Sequence, residues 1–392
     1  MANFINLKVF PDFFRSASAG GIILIISLVI SLLIANSAWG DVFANLLQTE
    51  LGFESGQLHL KYSFLLWVND GLMAIFFLLV GLEIKREMLE GELSSLRKAA
   101  LPVFAAVGGM LVPAGIYALI NAGTDTASGW GIPMATDIAF AIGLLSLLGS
   151  RVPTGLKIFL TALAIVDDLG AIVVIAVFYS EGLHGTYLLY AGGILLLLLL
   201  FNRFGVKSLV FYLVPGLFMW YFIHHSGIHA TIAGVLTALT IPTTPDAKES
   251  PLEKLEHALT KPVNFLIMPI FALVNTNIRF EAGMVEGLLS PLGMGIVLGL
   301  LLGKPIGILL TSWLAVKLRV SVLPTGVNWK MVVGLGLLAG IGFTMSIFIA
   351  LLSFSDPVHQ TAAKFSILVA SVLSGLLGFF MLRAVSVKSL TR

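Results

Sequence analysis

Four ionisable residues of this 392-residue chain stand inside apolar runs: Asp137 in PMATDIAFAIG (133–143), Asp167 and Asp168 in ALAIVDDLGAI (162–172), and Lys304 in LLGKPIG (301–307). An Asp or Lys near the centre of a bilayer costs about 2.5–3.5 kcal/mol on insertion scales, so such residues mark pathways and relays. Two carboxylates bordering a partly dry cavity either take protons near neutral pH or hold a cation once deprotonated. Neighbouring helical residues point about 100° apart, so Asp167 and Asp168 border one cavity without both facing it squarely. The plain alternative is a helix-interface pair satisfied by nearby hydroxyls. Pro133 and Thr136 point to an interruption near Asp137, where a carboxylate offsets the positive end of a free helix N-terminus. Asp137 is then a compensating charge, a ligand, or both. Lys304 needs a carboxylate or the carbonyls at a broken helix end. With Thr136 and unwound carbonyls, the three aspartates form an oxygen-only set that suits a hard alkali cation.

The elements that position these residues are membrane helices. Charged residues make up 11% of the chain and hydrophobic residues 58%, against roughly 25% charged in soluble domains. That composition excludes an ordinary cytosolic enzyme and a disordered chain. The 23 Lys and Arg nearly balance the 21 Asp and Glu, which gives no footing for nucleic acid. With no cysteine there is no disulfide, iron–sulfur cluster or thiolate metal site. A span needs about 20 apolar residues. Twelve candidates lie near 17–36, 63–84, 99–120, 130–148, 155–179, 184–201, 208–223, 228–241, 262–278, 290–315, 331–353 and 361–382. The first reads as an uncleaved helix rather than a signal peptide. With that count, Lys61, Arg279 and Lys364 fall on one side, Lys304 lies within a span, and every other Lys and Arg, from Lys8 to Arg392, falls on the other. This asymmetry predicts a single multi-pass membrane domain with both termini cytoplasmic.

AGIGFTMSIFIA (339–350) is a second candidate for unwinding, in the eleventh span. Spans 3–5 and 10–12 then form two triplets of opposite orientation, each with an interrupted middle helix, on the plan of an inverted repeat. A shallower polar group collects at the cytoplasmic side: Glu83 and Arg86 end the second span, Lys254, Glu256 and His257 precede the ninth, and His229 begins the eighth on the opposite flank. It reads either as solvated helix ends or as a pH-responsive funnel, since His titrates near neutrality. Outside, segments 46–51 and 57–62 flank Glu54-Ser55-Gly56 and could close a hairpin, either a cover or an edge that pairs with a second protomer.

PMATDIAF, ALAIVDDLGAI, HSGIHATIAG (225–234), GKPIG, GIGFTMSIFIA and GLEIKRE (81–87) occur in this order over essentially the whole chain. Together they resemble the NhaA family of bacterial sodium–proton antiporters. Inverted repeats are known from this very family, so the triplet reading and the resemblance are one argument, not two. The resemblance implies an all-α fold of twelve transmembrane helices, the fourth and eleventh broken and crossing, plus a small external β-hairpin. It implies ion and proton binding at Asp167 and Asp168, which would hold the sodium, with Thr136 beside them. Asp137 would face positive helix ends, and Lys304 negative ones, pairing with Asp167 in some states. Glu83, Arg86, His229, Lys254, Glu256 and His257 match positions tied to pH activation. Thr260 stands where the family often has a second His.

The expected function is secondary active exchange of cytoplasmic Na⁺ or Li⁺ for external H⁺, electrogenic and activated at alkaline pH, in a bacterial inner membrane. No cofactor is expected beyond the transported Na⁺, Li⁺ and H⁺. The expected partners are lipid and a second copy joined through hairpin 46–62. An intramembrane aspartyl protease would need a Gly-x-Gly-Asp element, which is absent, and aspartates on two facing helices. A retinal protein built on Lys304 would have seven spans. A passive cation channel would conduct without obligatory proton coupling.

Overall fold

The computed structural model describes residues 9–56, 58–180, 182–244 and 250–390. Lys8, Lys248 and Arg392, sorted above by side, and hairpin position 57 lie outside the described residues. The chain is mostly helical, with one two-stranded sheet. Among the described residues, eight helices are long and apolar enough to cross a membrane: Phe64–Leu89, Leu96–Ile120, Ala127–Leu147, Thr154–Phe178, Gly185–Arg203, Pro251–Asn275, Pro291–Lys317 and Pro357–Val385. Two bent pairs, Ala19–Ala35 with Gly40–Gln48 and Trp329–Ala339 with Phe343–Ser353, raise the number to ten. The chain is therefore a multi-pass membrane protein. The seventh and eighth expected spans correspond to Val210–His224 and Thr231–Thr240. These fall short of the length that crosses about 30 Å of hydrocarbon at 1.5 Å per residue.

The chain divides into two compact units. The first comprises Met1–Ile26, Glu92–Ala171 and Phe280–Arg392. It holds all four deep ionisable residues. Its helix Lys304–Lys317 lies against Leu96–Ile120, and glycine permits the approach. A Cβ on Gly307 would stand 2.0 Å from the Gly108 carbonyl oxygen, and one on Gly108 would stand 2.4 Å from that of Gly307. Small residues let membrane helices bring their backbones this close. The turn before Lys304, Gly299–Gly303, is π-helical, and Lys304 N–H bonds the Gly299 carbonyl five residues back. Pro305 follows and has no N–H to give. A π turn re-aims the helix after it, and here the residue re-aimed is Lys304. The same device recurs at Val263–Ile267, ahead of Pro269.

The second unit comprises Ser27–Gly91 and Ile172–Arg279. Its core includes Leu82, Leu198, Tyr212, Met219, Ala238 and Leu252. The expected hairpin belongs here. Helix Gly40–Gln48, which the sequence pattern did not announce, occupies the start of the segment expected to be strand. The strands themselves are Glu50–Ser55 and Leu58–Ser63, antiparallel, with Glu50 opposite Ser63 and Ser55 opposite Leu58. The first strand is exposed along its whole length, Phe53 included. The hairpin is tied down by Trp67, whose Nε1 donates to the Leu51 carbonyl at 2.9 Å.

Candidate functional site

Thr136, Asp137, Asp167 and Lys304 come together within the first unit, and each is at most 1% exposed. The expected interruption near Asp137 is present. A 3₁₀ stretch Ala127–Met134 gives way to three non-helical residues, and helix Ile138–Leu147 starts after Asp137. The second break separates Trp329–Ala339 from Phe343–Ser353, with a bend of 48°. Pro133, Gly340 and Gly342 are the local causes, because proline and glycine are the residues least able to continue a helix.

The two interruptions are tied by hydrogen bonds. Asp137 N–H donates to the Ile341 carbonyl at 2.7 Å, and Ser346 Oγ donates to the Ile132 carbonyl at 2.7 Å. Asp137 caps two helices at once. Its Oδ1 accepts from Phe140 N–H at 2.9 Å, at the start of its own half-helix. Its Oδ2 accepts from Thr344 N–H at 3.1 Å and from the Thr344 hydroxyl, at the start of the other. The first N–H groups of a helix lack intrahelical partners and carry its positive end. One carboxylate answers both.

Asp167 lies midway along Thr154–Phe178 and is fully buried. Its Oδ2 receives Lys304 Nζ at 2.5 Å, and Thr136 Oγ1 lies 2.7 Å away. Lys304 Nζ also donates to the Met134 carbonyl, at the end of the 3₁₀ stretch. Thr136 Oγ1 is 2.9 Å from the Ala339 carbonyl as well, and has one proton for the two acceptors. Asp167 Oδ1 is buried with no hydrogen-bond partner among the described residues. Asp168, the next residue, is 2% exposed. Carboxylates, a hydroxyl and backbone carbonyls are thus concentrated where two helices break. The chemistry available is binding of a hard cation or a proton, with Lys304 as the resident competing charge. Among the described residues, no three His, Cys, Asp or Glu come together in a metal-binding group.

Sequence reasoning missed Thr344, the Met134 and Ala339 carbonyls, and Ser371, whose Oγ accepts from Phe343 N–H at 3.1 Å. A hydroxyl residue two places after Gly342 was the available signal for Thr344. Ser371 had none, because it lies on another helix.

The expected pH-responsive residues come together only in part. Within the second unit, Arg86 Nε lies 3.0 Å from both Glu256 carboxylate oxygens, and its Nη1 lies 3.1 Å from Glu87 Oε1. Glu256 is buried. Glu83 stands one turn before Arg86 on the same helix. Lys254 and His257 are exposed on helix Pro251–Pro262, which starts with a capping box between Ser250 and Glu253. Thr260 donates to the Glu256 carbonyl at 2.7 Å. His229 is not part of this group. It precedes helix Thr231–Thr240, with Nε2 2.7 Å from the Tyr179 carbonyl. The far end of that helix is held by Lys85, which donates to the Leu239 and Ile241 carbonyls at 2.8 and 2.5 Å. Ten residues at 1.5 Å each put about 15 Å between the two helix ends.

Replacing Asp137 with alanine should remove about 2–4 kcal/mol of stability. It leaves Phe140 N–H, Thr344 N–H and the Thr344 hydroxyl without their acceptor, and a lost cap costs about 0.5–2 kcal/mol. Asparagine, a good cap without the charge, should recover part of it. Thermal unfolding of the purified variants measures both, and an alanine variant as stable as wild type would refute the double cap.

Comparison with known proteins bears on the whole chain. The family model described as "Na+/H+ antiporter 1" matches residues 11–382. A protein of Flavobacterium johnsoniae named Na(+)/H(+) antiporter NhaA 2 is 67% identical over 383 residues, covering 97% of this chain and 94% of that protein. The NhaA antiporter of Flavobacterium psychrophilum is 51% identical over 377 residues, or 96% of each chain. That of Shewanella sp. strain ANA-3 is 50% identical over 381 residues, covering 96% of this chain and 98% of its own. With the breaks, the buried carboxylates and the lysine in place, the chain belongs to the Na⁺/H⁺ antiporter 1 family of membrane transporters.

Proposed function

We propose that this chain exchanges cytoplasmic Na⁺ or Li⁺ for external H⁺ across the bacterial inner membrane, and that Asp167 and Asp168 carry both ions in turn. One observation carries the reading. Asp167 is fully buried, with one oxygen engaged by Lys304 and Thr136 and the other without a hydrogen-bond partner among the described residues. A buried carboxylate in that position gains from a cation, a proton or the lysine, and only one of these at a time. Deprotonated aspartates bind sodium from the cytoplasm, with the Thr136 hydroxyl beside them. Asp137 keeps the two half-helix ends electrically balanced while the site reopens outside, where protons displace the metal ion. Competition for one site couples the two fluxes. If more protons enter than sodium ions leave, the membrane potential drives the cycle at about 2.3 kcal/mol per charge per 100 mV.

The topology that goes with this reading has twelve spans, two of them broken and crossing, in inverted repeats with both termini cytoplasmic. This reading counts as spans, beside the eight long helices, each of the two bent pairs and, with their flanking residues, the short helices Val210–His224 and Thr231–Thr240. Arg86, Glu256 and their neighbours Glu83, Lys254 and His257 tune the response to cytoplasmic pH, with His229 acting from a separate position. The exposed hairpin strand, carrying Phe53 at 57% exposure, pairs with a second copy, as unpaired edges tend to do.

Calorimetric titration of purified protein with Na⁺ and Li⁺ at several pH values, beside sodium-induced dissipation of ΔpH in everted vesicles, tests the proposal. Binding should weaken as pH falls from 8.5 to 6.5, and exchange should rise with pH. Sodium affinity that is the same at both ends of that range would refute the shared site.

A further inference from the structure

The last helix, Pro357–Leu390, offers two hydroxyls to the break at Gly340–Gly342 and uses only one. Phe343 opens the second half-helix, and its N–H donates to Ser371 Oγ at 3.1 Å in a buried contact. The next N–H, that of Thr344, is taken by Asp137. The half-helix start is thus held from two sides, by a carboxylate on one element and a serine on another. Ser374 lies three residues beyond Ser371, on the same helix face and about 4.5 Å further along the axis. It is 0% exposed, and its Oγ has no hydrogen-bond partner among the described residues. It is directed at the break, since a Cβ built on Gly340 would stand 2.8 Å from Ser374 Oγ. The helix comes this near because Gly378 faces the same segment, where a Cβ would stand 2.9 Å from Leu338 N. Buried hydroxyls without partners are rare, and each calls for a physical reason.

We propose that Ser371 and Ser374 are alternative capping stations for this half-helix, which occupies Ser371 in the conformation described here and moves to Ser374 when the ion site changes its access. The inference rests on the exchange reading above, because exchange through one site requires two conformations. Packed helices shift between discrete positions by about one turn rather than continuously. A hydroxyl that is idle in one position and engaged in the other keeps the orphan N–H satisfied in both. The two serines act as positioning residues, through the half-helix, and do not touch the ion.

S374A, S374T and S371A, assayed with wild type in everted and right-side-out vesicles, test the scheme. S374A removes a hydroxyl that makes no bond here, so its melting temperature should equal or exceed that of wild type. Its maximal exchange should nevertheless fall about fivefold, the factor that one capping hydrogen bond is worth. Its half-saturating sodium concentrations at the two faces should move oppositely to those of S371A, because the two variants weaken opposite conformations. S374T keeps the hydroxyl and should restore the rate. Exchange in S374A equal to wild type overturns the scheme, as does a shift in the same direction for both alanines. Absence of exchange in wild-type vesicles overturns the parent reading and the stations with it. Normal wild-type exchange with an unaffected S374A overturns the stations alone.

Discussion

Replacing Lys304 with alanine should cost the fold about 3–5 kcal/mol, the usual penalty for removing one partner of a fully buried ion pair. Lys304 and Asp167 are both 0% exposed, with Nζ and Oδ2 2.5 Å apart. The ammonium also donates to the Met134 carbonyl. The alanine variant therefore strands a carboxylate and a helix-end carbonyl in one step. Desolvation of the stranded carboxylate sets the size of the effect. Removing both partners should then be milder than removing the lysine alone. The double variant Lys304→Ala with Asp167→Asn should regain part of the loss, the non-additivity that marks residues in direct contact. Arginine should not substitute well, since its planar fork does not fit where one Nζ reaches a carboxylate and a carbonyl together. Thermal unfolding of wild type, Lys304→Ala, Asp167→Asn and the double variant in one detergent gives the cycle. An alanine variant within about 1 kcal/mol of wild type, the range of an exposed pair, would show that the pair contributes no more than a surface contact.

Much of this arrangement is legible in the sequence because burial of charge in a membrane is costly enough to leave few exceptions. Asp137, Asp167 and Lys304 announce themselves by standing in apolar runs, and Pro133, Gly340 and Gly342 announce the breaks. The contacts that give each residue its task are not legible, because they join distant parts of the chain. Thr344 meets Asp137 across 207 positions, and Lys304 meets Met134 across 170. Nothing local distinguishes Ser371 or Ser374 from any serine on an apolar helix. The sequence places His229 on the flank opposite Glu256, and the length of helix Thr231–Thr240 separates His229 from the end that Lys85 holds. The exposed hairpin was readable as strands, but the amphipathic turns of Gly40–Gln48 before it were absorbed into the loop.

The two adjacent aspartates should come apart sharply when each is replaced by asparagine. Asp167→Asn leaves Lys304 buried opposite a neutral amide and should lose stability on the scale just given for a broken buried pair. Asp168→Asn leaves the Lys304–Asp167 pair intact, so it should lose less stability than Asp167→Asn. Its exchange should still fall to the level of vesicles lacking the protein. An amide can neither release a proton at any working pH nor offer sodium the charge that offsets dehydration. Stability and transport therefore separate at Asp168 and fall together at Asp167. The measurement is sodium-induced dissipation of ΔpH in everted vesicles, beside a melting curve for each variant. Residual exchange in Asp168→Asn would mean that Asp167 alone handles both ions, and Lys304 would then have to leave its carboxylate in every cycle.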